Sequence, residues 1–401
     1  MIHRAKGPVC VLLVAAFAFS AVGYAASANE VPDSWNILVY LQADNNLNDL
    51  TQTDLDELMA VGSSDEVNVL VFMDKLDDYA YLYYIEPRGM VLLDYEYNGV
   101  EVNTGDPVVF EKFVTYAEDN YPAEHTLIFF WDHGGPTAGV GLDDTTPEGV
   151  SDWLTHHELI AALDGHTVDV LAMDECSIGQ IEVMYEYSMG LDTQYVVASE
   201  SSIGYRGFPY DWILERLVTY PNMTAYDLSL VCVQEFQELF MTTPYKTEIL
   251  TTQSVIDLKM VVPLACALTN LTDLLKADIP AYKSIIKYAQ AQSIMPWSSR
   301  SLGRIDLPTL VECIGSKAPA GSEVRSAAEE FMRLYEKTVP AMGVTKNSDK
   351  YGYQGMGILF PQSASFLTVA YAGMWETYPT FDFPDNGWLQ FLEAYWGVDL
   401  I

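Results

Sequence analysis

The chain of 401 residues predicts an α/β fold with a mainly parallel central sheet, and three observations carry that expectation. Short apolar runs that stop abruptly at polar turn residues recur: Trp35–Leu41, Val67–Met73, Thr126–Trp131, Val168–Met173 and Gln194–Ser199. Such runs are what buried parallel strands look like. Segments with apolar residues at helical spacing lie between them, which is βαβ grammar and implies right-handed crossovers. An apolar content of 50% with frequent Tyr and Trp excludes a disordered chain.

Taken in order, Trp35–Leu41 reads as the first strand. It ends in Gln42-Ala-Asp-Asn-Asn-Leu47, whose Asp and Asn residues suit a turn and a helix cap. Leu47, Leu50, Leu55, Leu58 and Met59 then follow at helical spacing up to Gly62, and Val67–Met73 is a second strand ended by Asp74. Tyr81–Ile85 and Met90–Tyr97, separated by Glu-Pro-Arg-Gly, read as an added hairpin. Asp106–Tyr121 is amphipathic through Val109, Phe110, Phe113, Val114 and Tyr116, and Ser151–Leu163 reads as a helix returning the chain to the Val168–Met173 strand. Beyond Tyr210 the pattern is helical to Met241, with further helices expected at 261–291 and 322–339, and Tyr353–Pro361 reads as a late strand closed by its proline. A boundary near Tyr245 separates a strand-rich part, residues 29–244, from a helix-rich part, residues 245–401, that completes or flanks the sheet.

Residues 1–28 have the order of a secretory signal: His3, Arg4 and Lys6, an apolar run from Val9 to Val22, then Ala26-Ser-Ala28 as a cleavage site. The alternative is an uncleaved anchor from Val9 to Ala28. Both readings place the body outside the cytoplasm, secreted or at the cell surface, with membrane contact only through that anchor. No later stretch reads as long and apolar enough to span a bilayer. The formal charge is −36, and the leader contributes two basic and no acidic residues, so the body is more acidic still. Such a surface repels phosphate backbones and excludes nucleic acid as a partner. The five cysteines are too few and too scattered for a disulfide framework or a CxxC zinc site.

The chemistry concentrates where two of the apolar runs end. Trp131 is followed by Asp132-His133-Gly134-Gly135, and Met173 by Asp174-Glu175-Cys176-Ser177. Open α/β sheets place reactive groups at the carboxyl ends of their strands, so a histidine and a cysteine would sit at neighbouring strand ends. Cysteine hydrolysis needs a thiolate, a proton donor for the leaving group and oxyanion stabilisation. His133 and Cys176 can supply the first two, and Gly134 lets backbone N–H groups approach a reacting carbonyl.

These residues also carry a resemblance. Gln42–Leu47, Trp131-Asp-His-Gly134, Gly141-Leu-Asp-Asp-Thr145, Leu154-Thr-His-His-Glu-Leu159, Met173-Asp-Glu-Cys176 and Ala198-Ser-Glu200, in this order, resemble the clostripain family of cysteine peptidases, relatives of the caspases. The resemblance covers residues 35–215, with an echo at Gly355–Pro361. It implies an endopeptidase acting on polypeptides, with a caspase-like α/β/α sandwich. Cys176 would be the nucleophile, His133 the general acid and base, and the backbone N–H groups of Gly134 and Cys176 the oxyanion hole. Asp174 matches an acidic residue that favours Arg or Lys at P1; its alternative is a strand-end carboxylate capping the following helix.

The chain departs from the family in the loop after the fifth strand, where Arg206 stands at the position of an aspartate that contributes to basic P1 recognition and Phe208 at that of a tryptophan. A guanidinium there would repel a basic P1 and could pair bidentately with the carboxylate of an acidic one, or would close on Asp174 or Glu200 as a salt bridge and leave the P1 preference weak. Some members cut themselves at a basic residue between the histidine and the cysteine, and this chain has no Lys or Arg between Gly134 and Met173. The chemistry requires no cofactor. Members can depend on calcium, for which Asp143-Asp144 or Asp44 could supply oxygen ligands; no EF-hand-like spacing is present, and the alternative is a charged turn. His156-His157 lacks zinc-site order and reads as surface. Two further classes stay open: a catalytically idle surface binding protein on the same scaffold, and a cysteine hydrolase or transpeptidase on non-peptide substrates.

Overall fold

The computed structural model describes residues 34–76, 78–242, 251–293, 303–345, 352–365 and 378–400. The leader and Tyr245 lie outside them.

Nine strands form the main sheet in the order β13-β11-β10-β9-β5-β1-β2-β3-β4. They are β1 Trp35–Ala43, β2 Val67–Lys75, β3 Tyr81–Glu86, β4 Gly89–Leu92, β5 His125–Trp131, β9 Val170–Asp174, β10 Tyr195–Ala198, β11 Thr252–Asp257 and β13 Ala341–Val344. Three short strands, β6 Gly134–Gly135, β7 Gly139–Asp143 and β8 Asp152–Leu154, make a small separate sheet, and β12 Arg304–Asp306 pairs with β14 Gly357–Leu359. The centre of the main sheet is parallel: β2, β1, β5, β9 and β10 run the same way. Antiparallel strands extend it on both sides.

Helices cover both faces. On one, α1 Thr51–Val61, α5 Tyr210–Thr219 and α6 Ala225–Thr242 bury Leu55, Ile213 and Phe236 against Ile37, Val39, Phe129 and Val197. On the other, α2 Pro107–Asn120, α3 His156–Ala162, α4 Ile181–Gly190 and α7 Leu258–Ala277 bury Phe113, Leu159, Met184 and Leu264 against Tyr40, Phe72, Ile128 and Phe130. Alternate residues of each strand therefore serve two cores, which is why the central strands read as nearly unbroken apolar runs. The chain forms an α/β/α sandwich. Helices α8 Ile279–Gln292, α9 Leu307–Lys317, α10 Glu323–Thr338 and α11 Trp388–Trp396 pack on the second face around α7.

Four details differ from the sequence reading. The second hairpin strand stops at Leu92 rather than Tyr97, because the chain turns inward and Tyr95 packs edge-on against Phe72, Tyr97 and Tyr116. Residues 152–154 are strand rather than helix. The helix starts only at His156, where a capping box forms: Thr155 accepts from the Glu158 N–H and the Glu158 carboxylate accepts from the Thr155 N–H. Residues 210–241 form two helices broken before Ala225, near Pro221. Finally, α7 does reach the length and mean hydropathy, 1.4, of a membrane-crossing helix. Its apolar face, with Val261, Leu264, Leu268, Leu271 and Leu275, is instead buried in the core.

Candidate active site

Parallel pairing aligns the two strand ends. β5 and β9 are neighbours with Trp131 opposite Asp174, and the Asp132 N–H donates to the Asp174 carbonyl at 3.4 Å. His133 and Cys176 each follow two residues beyond that last pair. Gly134 makes the approach sterically workable: a Cβ added there would lie 2.2 Å from the Cys176 carbonyl oxygen and 3.0 Å from the Glu175 Cβ. No side chain fits, so the sequence has glycine where the two ends close on each other.

The turn after β1 orients the histidine. His133 Nε2 lies 3.0 Å from Asn46 Oδ1, so the proton sits on Nε2 and Nδ1 is left as the acceptor. Asn45, the preceding residue, donates to Asp132 Oδ1 at 2.8 Å and to the Leu142 carbonyl at 2.8 Å. The Leu142 N–H closes on the other Asp132 oxygen, and the His133 carbonyl accepts from the Gly141 N–H at 3.1 Å. His156, read from sequence as surface, is buried, because its ring fills the gap beneath this hairpin. Nδ1 meets the Tyr187 hydroxyl at 2.8 Å and Nε2 meets the Gly135 carbonyl at 3.1 Å. Burial holds its pKa down at about 4, so it stays neutral and spans the two partners. Half-exposed His157 approaches Glu186 at 3.6 Å.

Cys176 is half-buried and in no disulfide, as are Cys266 and Cys313, whereas Cys232 is fully buried. Its Sγ accepts from the Ile203 N–H at 3.4 Å, and Ser177 behind it takes a left-handed conformation, φ 62°, that a side chain seldom adopts. The turn is pinned from several sides: Ser177 N–H to the Ser201 carbonyl at 2.8 Å, Gly179 N–H to Ser199 at 2.8 Å and Gly357 N–H to Gly179 at 3.0 Å. Glu200 accepts from the Gly355 N–H at 2.6 Å, so the late Gly355–Pro361 stretch braces the cysteine turn. Glu175 is fully buried; one oxygen accepts from the Gly141 N–H at 3.0 Å.

Burial pushes the Cys176 thiol up, with Glu175 and Asp174 adding repulsion, and it pushes His133 below the ordinary imidazole value. Both shifts favour the uncharged forms, the thiol and the neutral imidazole. Alkylation of Cys176 by iodoacetamide is expected to be slow at neutral pH and to climb through the alkaline range beyond the ordinary thiol value. Fast labelling that is flat from about pH 5 upward would instead reveal a stable thiolate–imidazolium pair.

Asp174 and Arg206 do not meet. The Asp174 carboxylate is buried; one oxygen accepts from the Phe208 N–H at 3.1 Å and the Tyr210 hydroxyl at 2.8 Å, while the other has no hydrogen-bond partner among the described residues. Gly207, at φ 55°, presses on it so closely that a Cβ would lie 2.3 Å from a carboxylate oxygen. Burial raises its pKa to about 6. Arg206 pairs with Glu57 of α1, not with Asp174 or Glu200, and the other Glu57 oxygen accepts from the Tyr210 N–H at 3.2 Å. Burial raises Glu57 to about 7 against the opposing pull of Arg206. Asp54, bonded to the Trp131 indole at 2.6 Å, is raised to about 8 by burial and by Asp174.

Of the oxygen-donor candidates, Asp143 and Asp44 are buried near Asp74, and Asp144 is exposed. Asn45, Asn46, His156, Glu57 and Asp74 escape the sequence reading as site residues, although Gln42–Leu47 and Leu154–Leu159 stand among the matching stretches.

The sandwich is a caspase-like fold. It superposes on a secreted C11 cysteine protease from Bacteroides thetaiotaomicron, solved with an irreversible peptide inhibitor, with a TM-score of 0.61, 18% identity and coverage of 85% of this chain and 99% of that one. An inactive zymogen C11 protease from Parabacteroides distasonis gives a TM-score of 0.61 and 18% identity over 88% of this chain and 97% of that one. The chain belongs to the clostripain family, whose sequence model matches residues 39–381. Clostripain of Hathewaya histolytica is 29% identical over 219 residues, 45% of this chain, and this chain covers 41% of the length of that relative.

Proposed function

We propose that the chain is a secreted or surface-attached cysteine endopeptidase in which Cys176 attacks the scissile carbonyl and His133 carries the proton. The observation that supports this reading is that β5 and β9 are parallel neighbours whose last pair, Trp131 opposite Asp174, lies two residues before each of them, with Gly134 packed so closely on the Cys176 carbonyl that no side chain fits. With both groups neutral at rest, thiol deprotonation accompanies attack. His133 Nδ1 takes the Sγ proton as the S–C bond forms, then returns it to the departing amine nitrogen, leaving an acyl-enzyme that water hydrolyses. Backbone N–H groups of Gly134 and Cys176 would receive the oxyanion.

The surroundings of Asp174 support a basic P1. Arg206 is paired with Glu57 rather than with Asp174, and one Asp174 oxygen has no hydrogen-bond partner among the described residues. The segment between Gly134 and Met173 has no Lys or Arg, so an enzyme specific for those residues would not cut itself there. A P1-diverse fluorogenic library is expected to show cleavage after Arg or Lys. Glu57→Gln, which releases Arg206, is expected to lower kcat/KM for basic P1 about tenfold, equivalent to one lost charge-assisted contact. Preference for acidic P1 in the parent would overturn the pocket reading, and no cleavage of any peptide would overturn the endopeptidase reading.

A further inference from the structure

The strand end that presents Cys176 and the hairpin that follows His133 meet at one buried side chain. Glu175, the residue before the cysteine, has no solvent exposure. A Cβ added to Gly134 would approach the Glu175 Cβ to 3.0 Å, and one Glu175 carboxyl oxygen accepts from the Gly141 N–H at 3.0 Å. The same N–H donates to the His133 carbonyl at 3.1 Å. One amide of β7 is therefore shared between the backbone of the histidine and the side chain beside the cysteine. Gly141 is itself fixed: it takes a left-handed conformation, φ 63°, and an added Cβ would run into the Gln42 side chain, whose Nε2 donates to the Thr104 carbonyl at 3.2 Å.

We infer that Glu175 is a positioning residue for the dyad: through the Gly141 N–H it fixes the separation between the backbone of His133 and the strand end that carries Cys176. The β5–β9 ladder stops at Trp131 and Asp174, and the bond from the Asp132 N–H to the Asp174 carbonyl follows it. Beyond that bond, among the described residues, no backbone hydrogen bond joins residues 133–135 to residues 175–177. Glu175 supplies the link that the ladder no longer does.

Packing alone does not account for a carboxyl at this place. Burying a polar group costs free energy that an apolar side chain of the same size would not. The second Glu175 oxygen is buried with no hydrogen-bond partner among the described residues, so the bond to Gly141 is what the carboxyl adds. Burial, with Asp132 adding repulsion, raises the carboxyl well above the ordinary carboxylate range, and the amide is received by the neutral acid. Glutamine reproduces both its shape and its lack of charge; methionine reproduces the volume without the acceptor. In Glu175→Met the Gly141 N–H keeps the His133 carbonyl, so no donor is left unpaired and the fold is expected to hold.

The test compares the full chain with Glu175→Met and Glu175→Gln. With a fluorogenic peptide, Glu175→Met is expected to lower kcat about tenfold while KM stays within about twofold, and Glu175→Gln to recover most of that loss. Hydrogen exchange of the β7 segment, followed by mass spectrometry, is expected to be about fivefold faster in Glu175→Met and close to the parent in Glu175→Gln. Should Glu175→Met fail to fold, Glu175→Leu is read in the same way. Parent kcat in the folded apolar variant, a change confined to KM, or a glutamine variant as slow as the methionine one would overturn the proposal. The turnover measurement rests on the peptidase reading; the exchange measurement does not. If the parent cleaves no peptide, that reading fails and exchange alone decides the tie, which unchanged exchange in Glu175→Met would overturn.

Discussion

Cys176→Ala is expected to lower kcat/KM for peptide hydrolysis by at least about 10⁴-fold, with His133→Ala falling in the same range. The two should not be additive. Each removes one half of a single proton-transfer and bond-forming unit, so the double variant should be no slower than the worse single one. Neither substitution should unfold the protein, because Cys176 and His133 are only half-buried and the strands that present them are held by two cores. Circular dichroism and thermal unfolding separate the effects: lost activity with an unchanged melting temperature supports the assignment. Hydrolysis that survives Cys176→Ala would place the chemistry elsewhere on the scaffold.

Gly134→Ala is the second large effect. The added methyl would be placed 2.2 Å from the Cys176 carbonyl oxygen, and that backbone cannot retreat without breaking the bonds from Ser177 and Gly179 to the neighbouring turn. The two strand ends must separate by a fraction of an ångström to an ångström, a displacement that costs about 10²-fold in a reaction depending on near-attack geometry. Overpacking also destabilises by about 1–3 kcal/mol. The expected signature is a large fall in kcat with a modest fall in melting temperature. Gly89→Ala, at a glycine in ordinary backbone conformation whose added Cβ would meet nothing within 4 Å, serves as a control for the methyl itself. Near-parent activity in Gly134→Ala would mean that the approach of the two ends is not what the reaction depends on.

The sequence made the central parallel strands legible because each is buried on both faces and therefore reads as an apolar run. It made His133 and Cys176 legible because such runs end at them. Elements whose burial is uneven were harder to read. β8 is three residues long, and its Asp152-Trp-Leu pattern passes equally well as the first turn of the helix it precedes. β11 and β13 carry the sheet past β10 into the part with mostly helical pattern, but Thr252-Gln-Ser-Val looks polar although every residue in it is buried. Their burial comes from partners more than fifty residues away, which local periodicity does not record. The same holds at the site. Nothing in Arg206 by itself points to Glu57, about 150 residues earlier, and His156 looks like a polar surface residue until Tyr187 and the Gly135 carbonyl are found on its two ring nitrogens. Asp74 reads as the polar stop of a strand, and only the fold shows that Asp44 and Asp143 converge on it.

The measurement closest to the central claim is covalent labelling of the full chain by a peptide carrying an alkylating group at its P1 carbonyl, mapped by mass spectrometry. The account predicts one adduct per chain, on Cys176, with labelling strongly slowed in His133→Ala and no transfer of the adduct to Cys232, Cys266 or Cys313. Labelling at one of those other cysteines, or at Cys176 at the same rate with and without His133, would contradict it.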